Sequence, residues 1–144
     1  MKHEHVIQLI EVYESTKYIH LVLPYLEGGE LFKRINQKGL YKESDAMPIM
    51  KNFLKALVYL HENLIVHRDL KPENLIFASK DDNESIRIAD FGLATQLESE
   101  DDKLSLRCGS PGYVAPEMLR NQGYNCSSDV FSAGVIFYVM LTGR

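Results

Sequence analysis

The clearest hydrophobic pattern in the chain lies between residues 44 and 63. Apolar side chains recur there at intervals of three and four residues, a spacing that places them on one face of an α-helix. The positions concerned are Ala46, Met50, Phe53, Leu54, Leu57, Val58 and Leu60. Pro48 falls near the predicted start, where a missing backbone N–H costs least. The pattern therefore predicts a helix that packs into a core.

Two further helices are predicted on either side of this one. Residues 30–37 have the character of a short helix that ends at Gly39. Residues 128–142 are apolar at nearly every position, and Gly143 follows them. Because a helix that is apolar on nearly all sides must be buried on most of them, this last segment is expected to be enclosed by the fold.

Short runs of β-branched and aromatic residues predict strands elsewhere. Residues 6–14 and 18–23 flank a polar break and predict a β-hairpin, which cannot be stable alone. Three more extended pieces are predicted after the long helix, over residues 64–66, 75–77 and 86–89. The polar stretches 79–85 and 98–103 are interpreted as loops and not as domain boundaries.

Composition narrows the class of protein. The 144 residues are 45% hydrophobic and carry a formal net charge of −4, values typical of a soluble globular domain and not of a charge-driven nucleic-acid binder. The longest wholly apolar run, Val135 to Leu141, is far shorter than the roughly 18 residues of a membrane-spanning helix. No signal-peptide pattern is present, and the 2 cysteines fit a reducing compartment. We expect a cytoplasmic protein, with the nucleus as the alternative.

Three short motifs carry the strongest chemical signal. Residues 67–74 have the sequence HRDLKPEN, residues 90–92 are DFG, and residues 115–117 are APE. In this order and spacing they match the catalytic loop, the metal-binding loop and the end of the activation segment of protein kinases. The sequence resembles that family from about residue 6 to residue 143, which is practically the whole chain.

The resemblance implies an α+β, protein-kinase-like fold with a mostly helical C-lobe. Residues 1–144 are expected to form a partial kinase domain: 1–23 as the end of the N-lobe, 24–30 as the hinge and 31–144 as an incomplete C-lobe. The family's glycine-rich loop and its lysine do not precede residue 6, and its later helices do not follow residue 144. We therefore expect a domain truncated at both ends, in which the apolar face of residues 131–141 lacks part of its cover. As an isolated chain it is expected to be weakly stable and catalytically inert.

The resemblance also assigns roles in phosphoryl transfer from ATP. Asp69 is expected to orient the substrate hydroxyl and accept its proton, a task that suits a carboxylate ionised at neutral pH. Lys71 is expected to place its charge on the γ-phosphate, and Ser110 to form hydrogen bonds near Asp69 and Lys71. Asn74 and Asp90 offer oxygen ligands to Mg²⁺, which takes few protein ligands and keeps several waters. ATP and Mg²⁺ are thus the implied cofactors.

Residues 21–31 resemble the last N-lobe strand and the hinge that holds adenine. In this alignment Leu23 is the gatekeeper. Pro24 is expected to offer its carbonyl to adenine, and Leu26 both an N–H and a carbonyl. A proline is admissible at the first of these positions because a carbonyl is all that the position must supply.

Further residues complete the predicted nucleotide and substrate site. Ile76 is expected to pack beneath the adenine ring and Glu30 to contact the ribose. Glu73 belongs to the same group of candidates, and Glu30 and Glu73 together favour a substrate with a basic residue upstream of the acceptor. Lys71 in this loop is typical of kinases for serine and threonine, so protein Ser/Thr hydroxyls are the expected acceptors.

The activation segment gives weaker indications about regulation. Residues 108–117 resemble those of calcium/calmodulin-dependent-type kinases, with Ser110 where most relatives have Thr. Calcium/calmodulin regulation stays open, since the segments responsible would lie beyond this sequence. Arg68 typically pairs with a phosphate in the family; the usual acceptor position is Leu106 here, and Ser105 is the nearest hydroxyl. The acidic residues of 98–102 either satisfy Arg68 in part or form a solvated loop.

Two residues allow a structural and a functional interpretation. His67 is interpreted as a packed histidine and not as a proton carrier, because in the family this position joins Phe91 and Leu9 in a hydrophobic stack. Asp129 is either a simple acid at a helix N-terminus or, by resemblance, the anchor of the catalytic-loop backbone.

Two functions from different classes follow. The first is an active Ser/Thr protein kinase, and the second is a pseudokinase or truncated form that acts as a binding or scaffold protein. The retention of Asp69, Asn74 and Asp90 favours the first, since a non-catalytic protein has no chemical reason to keep all three.

Overall fold

A computed structural model describes residues 2–120 and 122–143 and shows an α+β fold. Its helices are α1 (Leu31–Lys38), α2 (Glu43–Glu62), α3 (Pro116–Leu119) and α4 (Ser127–Thr142). Its strands are β1 (Glu11–Glu14), β2 (Ile19–Val22), β3 (Gly29–Glu30), β4 (Ile65–Val66), β5 (Leu75–Phe77), β6 (Ile86–Ile88) and β7 (Thr95–Gln96). A 3₁₀ turn, Pro72–Asn74, precedes β5. The predicted helices and extended pieces are therefore confirmed, with small shifts of their ends.

The strands form small antiparallel sheets. Strands β1 and β2 make the predicted hairpin, in which Glu11 pairs with Val22 and Glu14 with Ile19. Strands β3, β5 and β6 form a sheet in the order β3-β5-β6, and β4 pairs with β7. The hairpin is shorter than predicted at its first strand, because Val6 forms a parallel bridge to Ile88 instead.

The core lies where α2 packs against α4 and β6. Apolar side chains from all three elements are excluded from solvent there, among them Phe53 and Leu60 of α2, Ile88 of β6 and Ile136 of α4. Each such side chain contributes about 1.5–3 kcal/mol of burial free energy. The core thus supports the loops that follow β4 and β6, which carry the predicted catalytic and metal-binding residues.

The predicted buried face of α2 is partly wrong. Leu54 and Val58 are 41% and 56% exposed, whereas Ile49 and Ala56 are buried. The buried positions follow a single stripe at the 3.6-residue period, and Leu54 and Val58 lie outside this stripe although they are apolar. Pro48 is also deeper in the helix than predicted, because α2 already begins at Glu43.

Burial of α4 on most sides is wrong for one face, whereas the incomplete cover expected for the apolar face of residues 131–141 is confirmed. Ala133, Ile136 and Met140 are buried against the core, but Val130 and Tyr138 are 55% and 58% exposed. The core covers only the side of α4 that faces α2. The remaining apolar surface has no cover in residues 2–120 and 122–143.

No helix within the described ranges has both the length and the apolar character needed to cross a bilayer.

Candidate active site

The loop after β4 carries the predicted catalytic residues, and a buried carboxylate fixes its backbone. Asp129, in the first turn of α4, is only 1% exposed. Its Oδ2 accepts the His67 N–H at 2.8 Å, and its Oδ1 accepts the Arg68 N–H at 2.9 Å. His61 Nε2–H donates to the same carboxylate at 3.1 Å. Asp129 therefore anchors the loop, as the resemblance predicts, and also occupies the N-terminal turn of its helix.

The same loop contains a backbone conformation that L-residues rarely adopt. Arg68 has a φ of +70°, and the following residue is Asp69. Such a conformation costs of order 1–3 kcal/mol and persists only where the surroundings fix it. The Asp129 hydrogen bond to Arg68 N–H supplies part of that constraint. The strained backbone conformation thus occurs at Arg68, the residue that precedes Asp69 and orients it.

The activation segment lies in close contact with this loop. A Cβ atom at Gly109 would lie 2.7 Å from the Arg68 carbonyl oxygen, and the φ of Gly109 is +99°. Only glycine fits both requirements. The close approach brings the next residue, Ser110, within hydrogen-bond distance of Asp69.

Asp69, Ser110 and Lys71 form a closed set of polar contacts. Lys71 Nζ donates to Ser110 Oγ at 2.7 Å, and Ser110 Oγ donates to Asp69 Oδ1 at 2.7 Å. Lys71 Nζ also lies 3.0 Å from Asp69 Oδ2. The hydroxyl thus accepts one hydrogen bond and donates another, as its chemistry allows. These are the contacts that the resemblance predicts for Ser110.

The environment of Asp69 keeps its carboxyl group ionised. Partial burial alone would raise its pKa, but the hydrogen bonds from Ser110 and Lys71 and the charge of Lys71 act in the opposite direction. The net result is a pKa below the ordinary value for aspartate. A group with a lowered pKa is charged throughout the neutral range, which a proton acceptor requires.

Ser110 gives a test of this arrangement. In the full-length protein, Ser110→Ala removes a hydrogen bond that lowers the pKa of Asp69. The acid limb of the pH profile of kcat/KM, for the phosphoryl transfer proposed below, should therefore move to higher pH. We also expect kcat to fall about tenfold, because a hydrogen bond to a charged group is lost. Ser110→Thr keeps the hydroxyl and is the matched control, with an expected change of at most about twofold. If the acid limb of Ser110→Ala lies at the same pH as that of the parent, the hydrogen bond from Ser110 does not lower the pKa of Asp69.

Asn74 and Asp90 are the predicted metal ligands. Asn74 is buried, and its Nδ2 donates to the Asp69 carbonyl at 2.9 Å and approaches Asp69 Oδ2 at 3.4 Å. Asp90 is exposed and has a φ of +59°, and Gly92 N–H donates to its Oδ1 at 3.2 Å. The two loops are joined by a hydrogen bond from Ala89 N–H to the Asn74 carbonyl. The set leaves Asn74 Oδ1 and one Asp90 carboxylate oxygen for a cation.

This donor set fits Mg²⁺ and does not form a metal cage of its own. Within the described part of the chain, no group of three or more His, Cys, Asp or Glu side chains is placed to hold a metal ion. Mg²⁺ usually takes one or two protein carboxylates and completes its shell with water and phosphate oxygens. An amide oxygen and a single carboxylate are therefore suitable ligands for Mg²⁺ that arrives with a nucleotide.

His67 is a buried, neutral histidine. Its ring is excluded from solvent and contacts Phe91 edge-on, with the ring centroids 5.1 Å apart. Nε2–H donates to the Ala89 carbonyl at 3.0 Å, and Nδ1 accepts the Asp69 N–H at 3.3 Å, so the ring carries one proton. Burial is the main cause of its lowered pKa. The packing interpretation is confirmed for the contact with Phe91.

A cavity of about 570 Å³ lies between the hairpin and the DFG loop. Its lining residues are Ile7, Leu9, Leu21, Leu23, Asp90, Phe91 and Gly92. The cavity brings the predicted gatekeeper together with the predicted metal ligand Asp90. Pro24 and Leu26 are half-buried and are not among the residues that line it.

The other predicted nucleotide residues are joined by the small sheet. Glu30 of β3 is the cross-strand partner of Ile76 of β5. The Glu30 carboxylate accepts a hydrogen bond from Lys33 at 2.7 Å, so a ribose would compete with this ion pair. In Glu73 the Oε2 atom is buried and has no hydrogen-bond partner in residues 2–120 and 122–143. A buried carboxylate oxygen without a partner is costly, which favours a role in binding a cationic group.

The Arg68 side chain makes its hydrogen bond to a residue outside the acidic loop 98–102. Its Nε–H donates to the Leu93 carbonyl at 2.6 Å. The Asp102 carboxylate instead accepts the backbone N–H groups of Ser99 and Glu98, and these hydrogen bonds lower its pKa. The structure therefore favours the solvated-loop interpretation of residues 98–102.

One positioning contact was missed by the sequence analysis. His61 is in the last turn of α2, where it was not singled out, yet it donates to Asp129. The two residues are separated by 68 positions, so helix periodicity gives no indication of their contact.

The geometry can be compared with known proteins. A family model described as the protein kinase domain matches residues 1–144. The chain belongs to the protein kinase family. It is 47% identical over 144 residues to a "probable myosin light chain kinase" from Dictyostelium discoideum, covering 99% of this chain and 36% of the relative.

Two other relatives agree with this membership. A "calcium/calmodulin-dependent protein kinase type 1" from Macrobrachium nipponense is 44% identical over 143 residues, which cover 99% of this chain and 41% of the relative. A "probable serine/threonine-protein kinase 2" from Plasmodium falciparum is 49% identical over 141 residues, covering 98% and 27%. This kinase-family chain thus spans less than half the length of the curated relatives it matches.

Proposed function

We propose that the full-length protein containing this chain transfers the γ-phosphoryl group of ATP to serine and threonine hydroxyls of protein substrates. The observation that carries the proposal is the set of contacts around Asp69. Its carboxylate is kept ionised, is held by Ser110 and Lys71, and lies beside Asn74, a predicted Mg²⁺ ligand. Phosphoryl transfer requires mainly such positioning and charge stabilisation.

The proposed chemistry assigns one task to each side chain. Asp69 accepts a hydrogen bond from the substrate hydroxyl and takes its proton as the new O–P bond forms and the bond to the ADP leaving group breaks. Lys71 contributes a positive charge near the transferring group while it also holds Ser110. Asn74 and Asp90 would hold Mg²⁺, which neutralises charge on the phosphates.

The proposed substrates are proteins with a basic residue upstream of the acceptor. The support is the unpartnered Glu73 Oε2, together with the carboxylate of Glu30. A guanidinium matches a carboxylate by paired hydrogen bonds, so arginine is preferred over lysine. Relatives named calcium/calmodulin-dependent kinases support calcium/calmodulin control of the full-length protein through segments outside these residues.

The cytoplasm is the proposed location. The thiols of Cys108 and Cys126 are free, which suits a reducing compartment.

A radiolabel experiment tests the proposed function. The full-length protein is incubated with Mg²⁺, γ-³²P-labelled ATP and a peptide that has arginine upstream of a single serine. The expected result is label on that peptide, none on the matched peptide with alanine in place of the serine, and none after Mg²⁺ is removed with EDTA. Binding of ATP without any label transfer would contradict the proposal and support the binding or scaffold alternative.

A further inference from the structure

Arg34 of α1 donates hydrogen bonds to four acceptors outside its own helix. Its Nε and Nη2 both donate to the Gly28 carbonyl at 3.0 Å. Nη2 also donates to the Ser79 carbonyl at 2.9 Å and to the Lys80 carbonyl at 3.3 Å, and Nη1 donates to Asn83 Oδ1 at 2.8 Å. A single guanidinium thus joins the turn before β3 to the loop between β5 and β6.

The guanidinium also lies over an aromatic ring. Its central carbon is 3.7 Å from the centroid of Phe77, a side chain that is fully buried. A cation that is close to a ring and shielded from water by half-burial gains more from this contact than an exposed one. The planar fork and the ring together fix the orientation of Arg34, which a lysine ammonium could not match.

The turn that Arg34 holds has no space to move towards β5. A Cβ atom at Gly28 would lie 2.3 Å from the Ser79 carbonyl oxygen and 2.5 Å from the Phe77 Cβ. Gly28 N–H also donates to the Phe77 carbonyl at 3.0 Å. Gly28, near the end of the predicted hinge, is therefore held from both sides. Arg34 binds its carbonyl group, and β5 binds its N–H group.

The held turn leads directly into residues of the predicted nucleotide site. Gly29 pairs with Phe77, and Glu30 pairs with Ile76. Leu26 precedes Gly28 by two positions in the chain. Arg34 thus fixes the segment expected to contact the adenine edge and the ribose relative to strand β5, which is expected to lie beneath the adenine ring.

We infer that Arg34 is a positioning residue for ATP, acting through the Gly28 carbonyl without touching the nucleotide. The inference rests on the proposed function, because it concerns the same nucleotide site. Its consequence is specific: loss of the guanidinium should weaken ATP binding and leave the chemical step at Asp69 unchanged. A residue that only supports the fold would change the stability or the active fraction and not the affinity for ATP.

Kinetics of the full-length protein test this inference through Arg34→Met and Arg34→Lys. We expect Arg34→Met to raise the KM for ATP about tenfold, with kcat within about twofold of the parent. Arg34→Lys keeps the positive charge but loses the planar guanidinium. Its KM for ATP should lie between that of the parent and that of Arg34→Met. Direct titration with ADP should show the same order of affinities.

Lys38→Met is the matched control, because Lys38 is another cation of α1 that lies over an aromatic ring. Its Nζ is 4.8 Å from the Tyr41 centroid and 3.2 Å from Asp45 Oδ2, away from the Gly28 turn. We expect its KM for ATP to equal that of the parent. A rise equal to that of Arg34→Met would overturn the inference.

A second variant covers the case in which Arg34→Met does not fold. Gly28→Ala disturbs the same turn from the opposite side and should raise the KM for ATP in the same selective way. If the folded Arg34 and Gly28 variants keep the parental KM for ATP, or lose only kcat, the inference is wrong. If the parent itself neither binds ATP nor transfers phosphate, the proposed function has failed, which is a distinguishable result.

Discussion

Asp69→Asn is expected to lower the rate of phosphoryl transfer by about 10²–10⁴-fold, the usual contribution of a positioned proton acceptor. Asparagine has nearly the same size and can still accept the hydrogen bond from Ser110, so the loop should keep its shape. It cannot take the substrate proton or carry the negative charge that Lys71 faces. The measurement is kcat for a serine peptide, with ADP affinity determined in parallel and expected to change little.

Asp81→Asn provides the control for the loss of a carboxylate. Asp81 is exposed in the loop between β5 and β6, away from the contacts of Asp69. Its substitution should leave kcat and KM at parental values. Turnover of the Asp69→Asn variant within a few fold of the control would show that Asp69 is not the proton acceptor.

Asp129→Ala is expected to lower the free energy of unfolding by about 3 kcal/mol or more, since each buried donor left unpaired costs about 1–3 kcal/mol. The N–H groups of His67 and Arg68 lose their acceptor, and the φ of +70° at Arg68 loses part of its constraint. The protein should therefore be less stable and its catalytic loop misplaced. Urea unfolding of the full-length protein measures the first effect and kcat the second.

Asp129→Asn keeps the size of the side chain but removes one of its two hydrogen-bond acceptor oxygens. One oxygen can still accept a hydrogen bond, but the amide NH₂ then faces a donor where Asp129 offered a second acceptor. A smaller loss of stability than in the alanine variant is expected. If both variants unfold at the urea concentration of the parent, the anchoring role of Asp129 is wrong.

Local sequence pattern predicted the three longer helices and the strands β1, β2, β4, β5 and β6, but not the short elements β3, β7 and α3 and not every buried face. The period of α2 identified Phe53 and Leu60 correctly because these positions follow one stripe of the helix. It included Leu54 and Val58 wrongly, since hydrophobic character alone does not say which apolar side chain has a neighbour to pack against.

The site was predictable where short motifs carry it and not where distant residues complete it. Asp69, Asn74 and Asp90 belong to contiguous motifs that match those of protein kinases. The contacts of His61 with Asp129, and of Arg34 with the loop after β5, join residues 45 to 68 positions apart. Such contacts depend on how the elements pack, which no local period reveals. The proposed roles of the nucleotide residues stay predictions.

The most direct test is a crystal structure of the full-length protein with Mg²⁺, a non-hydrolysable ATP analogue and a serine peptide. The account predicts Mg²⁺ at about 2.0–2.1 Å from oxygens of Asn74 and Asp90. It also predicts the serine hydroxyl about 2.6–3.2 Å from the Asp69 carboxylate. A nucleotide-bound metal held by other side chains, or an acceptor hydroxyl that faces away from Asp69, would contradict the account.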